Sequence, residues 1–278
     1  MWINLNGELV VSDKPVLSHQ NRAFRYGDAL FETLKVVDHK PLFISDHINR
    51  LTLSMHLLSL EPERHYTELF FEKEIKKLLE KNGWPHARIR ISVYRQSDGF
   101  YTPSEDRAQF LIEGHPLEDP RYATSENGLK VTVYPDHFKP FNHLAGLKSA
   151  NSLLYVLAGI WKRDHGYDEL LIRNDQGRIA EAVSSNILIY KDGVVLTPAA
   201  SEACLSGIMK EIVMVLVNRM NIDARPAMIT MEDVKAADEV WLTNMIQGVQ
   251  WVSAFDEVQY GHELADKVVA ALNDYAKL

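Results

Sequence analysis

Residues 87–95 read ARIRISVYR, and the alternation is strict. Ile89, Ile91 and Val93 point one way along an extended chain, and Arg88, Arg90, Ser92 and Tyr94 point the other. Such a strand has one apolar face and one polar face. The same period recurs upstream. MWINLNGELV predicts two strands around a turn at Asn6-Gly7, and ALFETLKVVDHKPLFI predicts two more around Asp38–Lys40.

Helical spacing then interrupts the strands. Ile48, Leu51, Leu53, Met55 and Leu58 predict a helix capped by Ser45 or Asp46. YTELFFEKEIKKLLEKNGW predicts a second, ended by Asn82-Gly83. AQFLIEG adds a strand. The polar stretch HPLEDPRYATSENG, with its two prolines, predicts the crossing between two domains, 1–115 and 116–278.

Beyond it the pattern continues with a strand (LKVTVYP) and a helix whose apolar residues Leu153, Leu154, Leu157, Ile160 and Trp161 read as a buried stripe. A meander follows, with turns at Asn174–Gly177 and Asp192-Gly193. A helix opens at Ser206-Gly207, a short one is capped by Thr230, EVWLTN is a strand, and HELADKVVAALNDYAK is a closing helix. Hairpins and meanders with interspersed helices predict α+β domains. No GxGxxG or Walker A pattern is present.

The 278 residues and 46% hydrophobic content suffice for a large core. The net charge of -8 disfavours a nucleic-acid partner, which needs a clustered basic face. Cys204 is the single cysteine, so neither an intrachain disulfide nor a multi-cysteine metal site can form, and a small buried hydrophobe is expected there. The first residues lack the pattern of a signal peptide, and no apolar run is long enough for a membrane span. A cytoplasmic protein with no metal is the expectation. Trp241 and Trp251 read as core or interface residues.

Four features bear on chemistry. Lys148 stands where a loop meets a helix: either a solvated side chain or a partly desolvated amine able to act as a nucleophile. Glu181 is either a strand-end acid on a wet rim or a carboxylate that pairs with a protonated ring nitrogen. Ser206–Ile208 enter a helix, as an ordinary cap or as an anion site of exposed amides, and Leu242–Met245 form a similar polar strand exit. Arg50 is either a surface residue or a buried cation in need of an anion, for which a phosphate fits the guanidinium fork.

In order and spacing, FRYGDALFETLKV, HINRL, LKSANSLLYVLA, GYDELLIRNDQGRIAEAVSSNILI, LSGI and LTN resemble the class IV aminotransferase superfamily, the fold-type IV pyridoxal phosphate enzymes. The resemblance covers nearly the whole chain. It implies a small N-terminal α+β domain, a larger C-terminal domain of pseudobarrel type, and a homodimer. It implies that Lys148 joins pyridoxal 5'-phosphate as an imine and that Glu181 partners the pyridine nitrogen. Arg50 would clamp the phosphate, Gly207 and Ile208 would offer it backbone amides, and Thr243 with Asn244 would close its far side. Tyr26 and Phe31 resemble substrate-pocket residues.

Within the superfamily the resemblance leaves three groups: branched-chain aminotransferases, D-amino-acid aminotransferases and aminodeoxychorismate lyases. Leu153 stands where the branched-chain pattern carries a tyrosine. VYRQSDGFYTP resembles a lyase-type turn, with Gln96 and Ser97 departing from its glycine-rich form. The expected activity is transfer of an amino group between an amino acid and a 2-keto acid. The alternative is release of pyruvate and 4-aminobenzoate from aminodeoxychorismate.

Overall fold

The computed structural model describes Met1–Leu278, which form two compact units. The first contains Met1–Pro120 and Leu147–Asn151, and the second Arg121–Gly146 and Ser152–Leu278. Leu147–Asn151 belong to the first unit although the chain on both sides of them belongs to the second.

In the first unit, β1 (Trp2–Leu5) and β2 (Glu8–Val11) form a hairpin around Asn6 and Gly7, whose φ angles are 54° and 97°. Then come α1 (Arg22–Tyr26), β3 (Ala29–Val37), β4 (Lys40–Pro41), α2 (Ile44–Leu57), β5 (Glu61–Pro62), α3 (Glu68–Asn82), β6 (Ala87–Arg95) and β7 (Arg107–Pro116). The strands make one sheet in the order β2-β1-β7-β6-β3-β4, with β5 beside β7. Apart from β5 its pairs are antiparallel.

The alternation of β6 holds for its apolar face, whereas Tyr94 on the polar face is buried as well. Ile89, Ile91 and Val93 are fully buried and join Leu30, Leu34 and Val36 of β3 under Leu51 of α2 and Phe71, Ile75 and Leu78 of α3. Each such side chain contributes about 1.5–3 kcal/mol on leaving water. Helix α3 is capped by Thr67 and ends on Gly83 in the left-handed region. Helix α2 departs from expectation: it starts before Ser45 and Asp46, on Phe43 at φ 54° and without a side-chain cap. Ser45 Oγ instead donates to Glu68 at 2.7 Å, and Asp46 lies in the first turn, where the helix dipole favours an acid.

The second unit contains β8 (Leu129–Val133), α4 (Leu153–His165), β9 (Glu169–Arg173), β10 (Ile179–Ala182), β11 (Asn186–Lys191), β12 (Val194–Pro198), a 3₁₀ turn at Ala200–Glu202, and α5 (Ile208–Arg219). It continues with β13 (Asp223–Ala227), α6 (Met231–Lys235), β14 (Glu239–Asn244), β15 (Gly248–Phe255), β16 (Val258–Gln259) and α7 (Glu263–Ala276). Nine strands form a mixed sheet in the order β10-β9-β8-β15-β14-β11-β12-β13, with β16 beside β15. Trp241 is fully buried in it, Cys204 is buried, and Thr230 closes a capping box on α6.

Helix α4 contradicts the buried stripe read from its sequence. Leu154 and Trp161 pack on the small cluster of Tyr134, Ala158, Leu170 and Ile172. Leu153 is 76% exposed, and Val156, Leu157 and Ile160 are exposed with it. Helical spacing identifies an apolar face but not what covers it. No helix is long and apolar enough to cross a membrane.

Candidate active site

Lys148 precedes α4 on a short extended stretch rather than at the helix mouth. Its carbonyl accepts from Phe31 N at 2.8 Å, Ala150 N donates to Ala29 O at 2.9 Å, and Leu30 and Ser149 form an antiparallel bridge. The backbone on both sides of the lysine is thereby pinned to the start of β3. Its Nζ lies 4.6 Å from the centroid of the half-buried Phe31 ring. The Arg90 guanidinium lies 3.7 Å from the same centroid, so two cations contact one aromatic side chain. Burial pushes the Arg90 pKa down. Tyr26, at the end of α1, packs against Tyr101 with ring centroids 5.5 Å apart.

Arg50 is neither a free surface residue nor a buried cation without an anion. Its Nε donates to Glu32 Oε1 at 2.8 Å and its Nη2 to Glu32 Oε2 at 2.5 Å. His47, one turn earlier on the same helix face, places Nδ1 2.7 Å from Glu32 Oε2. Glu32 sits on the core face of β3, between Leu30 and Leu34, and is 1% exposed. Burial alone would disfavour its charge. The hydrogen bonds from His47 and Arg50, with the Arg50 charge, more than offset that and hold its pKa at about 2. Facing an ionised carboxylate, His47 Nδ1 is the donor. Burial pushes the imidazole pKa down, and Nε2 is buried without a partner.

The second unit assembles the other expected residues. Glu181, on β10, is 4% exposed. Lys139 Nζ lies 2.6 Å from its Oε1, the Tyr155 hydroxyl donates to the same oxygen at 2.5 Å, and Leu205 N donates to Oε2 at 2.8 Å. The wet-rim reading of Glu181 is thus excluded. Burial, and then the Glu181 charge, push the Tyr155 pKa up.

Leu205 leads into Ser206, Gly207 and α5. Its carbonyl accepts from Asn186 Nδ2 at 2.8 Å. Gly207 is the N-cap residue of α5 and supplies no side-chain cap, which corrects the ordinary cap by Ser206. A Cβ on Gly207 would collide with the Asn186 side chain, so a larger residue here would force that side chain or the helix start to shift. Ile208, the first residue of the helix, is buried. Asn186 stands opposite Thr243 in the β11–β14 register. Thr243 is 2% exposed, and its Oγ1 has no hydrogen-bond partner. Asn244 uses its side chain within the turn after β14, accepting from Ile246 N at 3.0 Å and Gln247 N at 2.9 Å.

An orphaned buried hydroxyl beside an N-cap glycine against which the Asn186 side chain packs closely is a donor set that fits a phosphate. The first unit thus contains Tyr26, Phe31, Arg50 and Lys148, and the second contains Glu181, Gly207, Ile208, Thr243 and Asn244. Sequence reasoning missed Glu32, His47, Arg90, Lys139, Tyr155 and Asn186. Glu32 had a signal, being a carboxylate at a core position of the Leu30–Leu34 alternation. Lys139 had none, since it lies in a loop without periodicity.

Residues 29–255 match the model of the amino-transferase class IV family. The chain belongs to that family. It is 24% identical to the aminodeoxychorismate lyase of Bacillus subtilis, over 99% of this chain and 94% of the lyase. It is also 24% identical to the D-alanine aminotransferase of Listeria monocytogenes, with 99% and 94% covered. The branched-chain aminotransferase of Thermoproteus uzoniensis superposes with a TM-score of 0.89 at 22% identity, over 100% of this chain and 95% of that one. The likeness establishes the α+β fold of the fold-type IV enzymes.

Proposed function

We propose that the chain is a pyridoxal phosphate-dependent aminotransferase that moves an amino group between an amino acid and a 2-keto acid. The observation that carries this reading is the second unit's combination of a buried carboxylate, Glu181, with the phosphate-type donor set at Gly207, Ile208 and Thr243. Pyridoxal phosphate supplies an aldehyde that condenses with amines and a ring that withdraws electrons from the substrate.

The residues divide the work. With the cofactor bound, Lys148 Nζ would be the amine that holds its aldehyde carbon and, once free, the general base placed to take the substrate Cα proton. Phe31 fixes the approach of that amine. Glu181 would accept the ring N–H, and the amides at Gly207 and Ile208 with Thr243 Oγ1 would hold the phosphate, with Asn244 bounding it; Arg50 is the first unit's candidate for a phosphate. The Glu32 carboxylate sets the plane of the Arg50 guanidinium, so the clamp needs little reorganisation. Tyr26 lines the substrate pocket. The exposed stripe on α4 supports a homodimer, because its four apolar residues would otherwise stay in water.

Release of pyruvate and 4-aminobenzoate from aminodeoxychorismate is the second reading, favoured by the near full-length alignment with the Bacillus subtilis lyase. The purified protein should show a visible band with added pyridoxal phosphate that borohydride abolishes and Lys148→Ala lacks. A protein that stays colourless and binds none of it would refute both readings. Assays with amino and keto acid pairs of both chiralities, and with aminodeoxychorismate, choose between them: 4-aminobenzoate without keto acid turnover would displace the aminotransferase.

A further inference from the structure

Glu181 has more protein donors than service to a ring nitrogen demands. A carboxylate offers about four lone-pair positions. Lys139 and Tyr155 occupy both on Oε1, and Leu205 N occupies one on Oε2. One position on Oε2 is left.

The charges matter more than the count. Lys139 and Glu181 are 7% and 4% exposed, so little water screens them. Together they are already neutral. An ammonium that is not needed to neutralise a surface charge, and whose burial is costly, has a reason to be there. Its main chain is held independently: Lys139 N donates to Arg173 O at 2.8 Å, and Lys139 bridges Asn174. The side chain crosses toward the Tyr155 ring, 5.8 Å from its centroid. Around the pair stand Tyr155 on α4, Cys204 ahead of α5, whose thiol pKa burial pushes up, and Lys210 in the first turn of α5.

We propose that Lys139 is a positioning residue that acts through Glu181 to hold the cofactor's ring nitrogen nearer its neutral form than a lone glutamate would. Beside a neutral pair, a protonated ring nitrogen is an uncompensated buried charge; beside Glu181 alone it would be half of an ion pair. The inference rests on the reading of Glu181 as the ring partner.

The test loads wild-type holoenzyme and variants with pyridoxal phosphate carrying ¹⁵N in the ring and reads the ring-nitrogen resonance at one pH. Lys139→Met should move it upfield, toward the pyridinium position. Lys139→Gln, which keeps a donor near Oε1 without the charge, should move it the same way, and Lys139→Arg should leave it where wild type has it. An unmoved resonance in both Lys139→Met and Lys139→Gln overturns the proposal. Glu181→Gln separates this failure from that of the underlying reading. If Glu181 is the ring partner, its replacement shifts the resonance and adding Lys139→Met shifts it no further. A resonance indifferent to Glu181→Gln removes Glu181 as the partner and the proposal with it. A full Lys139 effect persisting in the Glu181→Gln background overturns action through Glu181.

Discussion

Arg50 and Glu32 face each other fork to fork, with Nε 2.8 Å from Oε1 and Nη2 2.5 Å from Oε2, and only Arg50 retains measurable contact with solvent. A helix residue expected to meet an anion thus meets first a carboxylate from the core face of a strand. The pair is bidentate, and bidentate pairs specify orientation as well as charge. Removing one partner of a buried pair leaves the other uncompensated. Glu32→Gln should therefore destabilise the chain by about 3 kcal/mol or more, read by urea unfolding. It should also weaken retention of pyridoxal phosphate by equilibrium dialysis. Wild-type stability in the variant would contradict the burial argued for this cluster.

The same carboxylate makes stability depend on pH in a defined direction. Its folded pKa of about 2 lies below its ordinary 4.5. Its contribution is therefore fully present above about pH 4.5 and is lost as pH falls toward 2. The shift corresponds to an order of 3 kcal/mol. Unfolding free energies at pH 6 and pH 3 should fall more steeply for wild type than for Glu32→Gln. Parallel slopes would show that Glu32 does not titrate abnormally.

Thr243→Val separates a site residue from a structural one. The buried Oγ1 bonds nothing in the protein, so an isosteric methyl should leave apo stability unchanged or raise it by up to about 1 kcal/mol. A hydrogen bond to a charged phosphate contributes roughly 1.5–3 kcal/mol, so pyridoxal phosphate affinity should fall about 10-fold or more. Reduced apo stability with unaltered affinity would assign the hydroxyl to the fold instead.

Gly207→Ala tests close approach. The new Cβ meets the Asn186 side chain, so that side chain or the start of α5 must shift, at a cost of about 1–3 kcal/mol, with loss of cofactor retention. Gly159, inside α4 with open space around its Cα, is the control: Gly159→Ala should stabilise by roughly 0.5–1 kcal/mol. Equal responses at the two positions would remove the steric argument.

Leu157→Asp tests the stripe on α4. If that face meets a second copy, the variant should dissociate the dimer about 100-fold more readily by light scattering, since burying each apolar side chain contributes roughly 1.5–3 kcal/mol. A wild-type protein that is monomeric at all concentrations would refute the homodimer.

Much of the fold was legible because local chemistry and global placement agree. The β6 alternation, the Thr67 and Gly83 ends of α3 and the Thr230 capping box need only neighbours in sequence. The start of α2 was misread because a left-handed Phe43 carries no sequence signal. The α4 stripe was misread because periodicity says which residues share a face, not what lies opposite. At the site, Lys148, Arg50, Glu181 and Gly207 were reached through their resemblance to a family. Of the residues that hold them, Glu32 carried a local signal as a carboxylate at a core position of β3, whereas Lys139, Tyr155 and Asn186 each act across a distance in sequence that no local pattern encodes.

Residues 147–151 join the first unit although the chain on either side of them belongs to the second. That detour has a consequence for synthesis. A nascent chain can begin to fold its N-terminal part early, but the start of β3 cannot gain its partners at Lys148 and Ala150 until Asn151 has left the ribosome. The first unit is finished only after part of the second has been made. A truncated product ending near Pro120 would carry unpaired strand backbone at Ala29 and Phe31, a site for aggregation that the full-length chain covers with the segment bearing its own lysine.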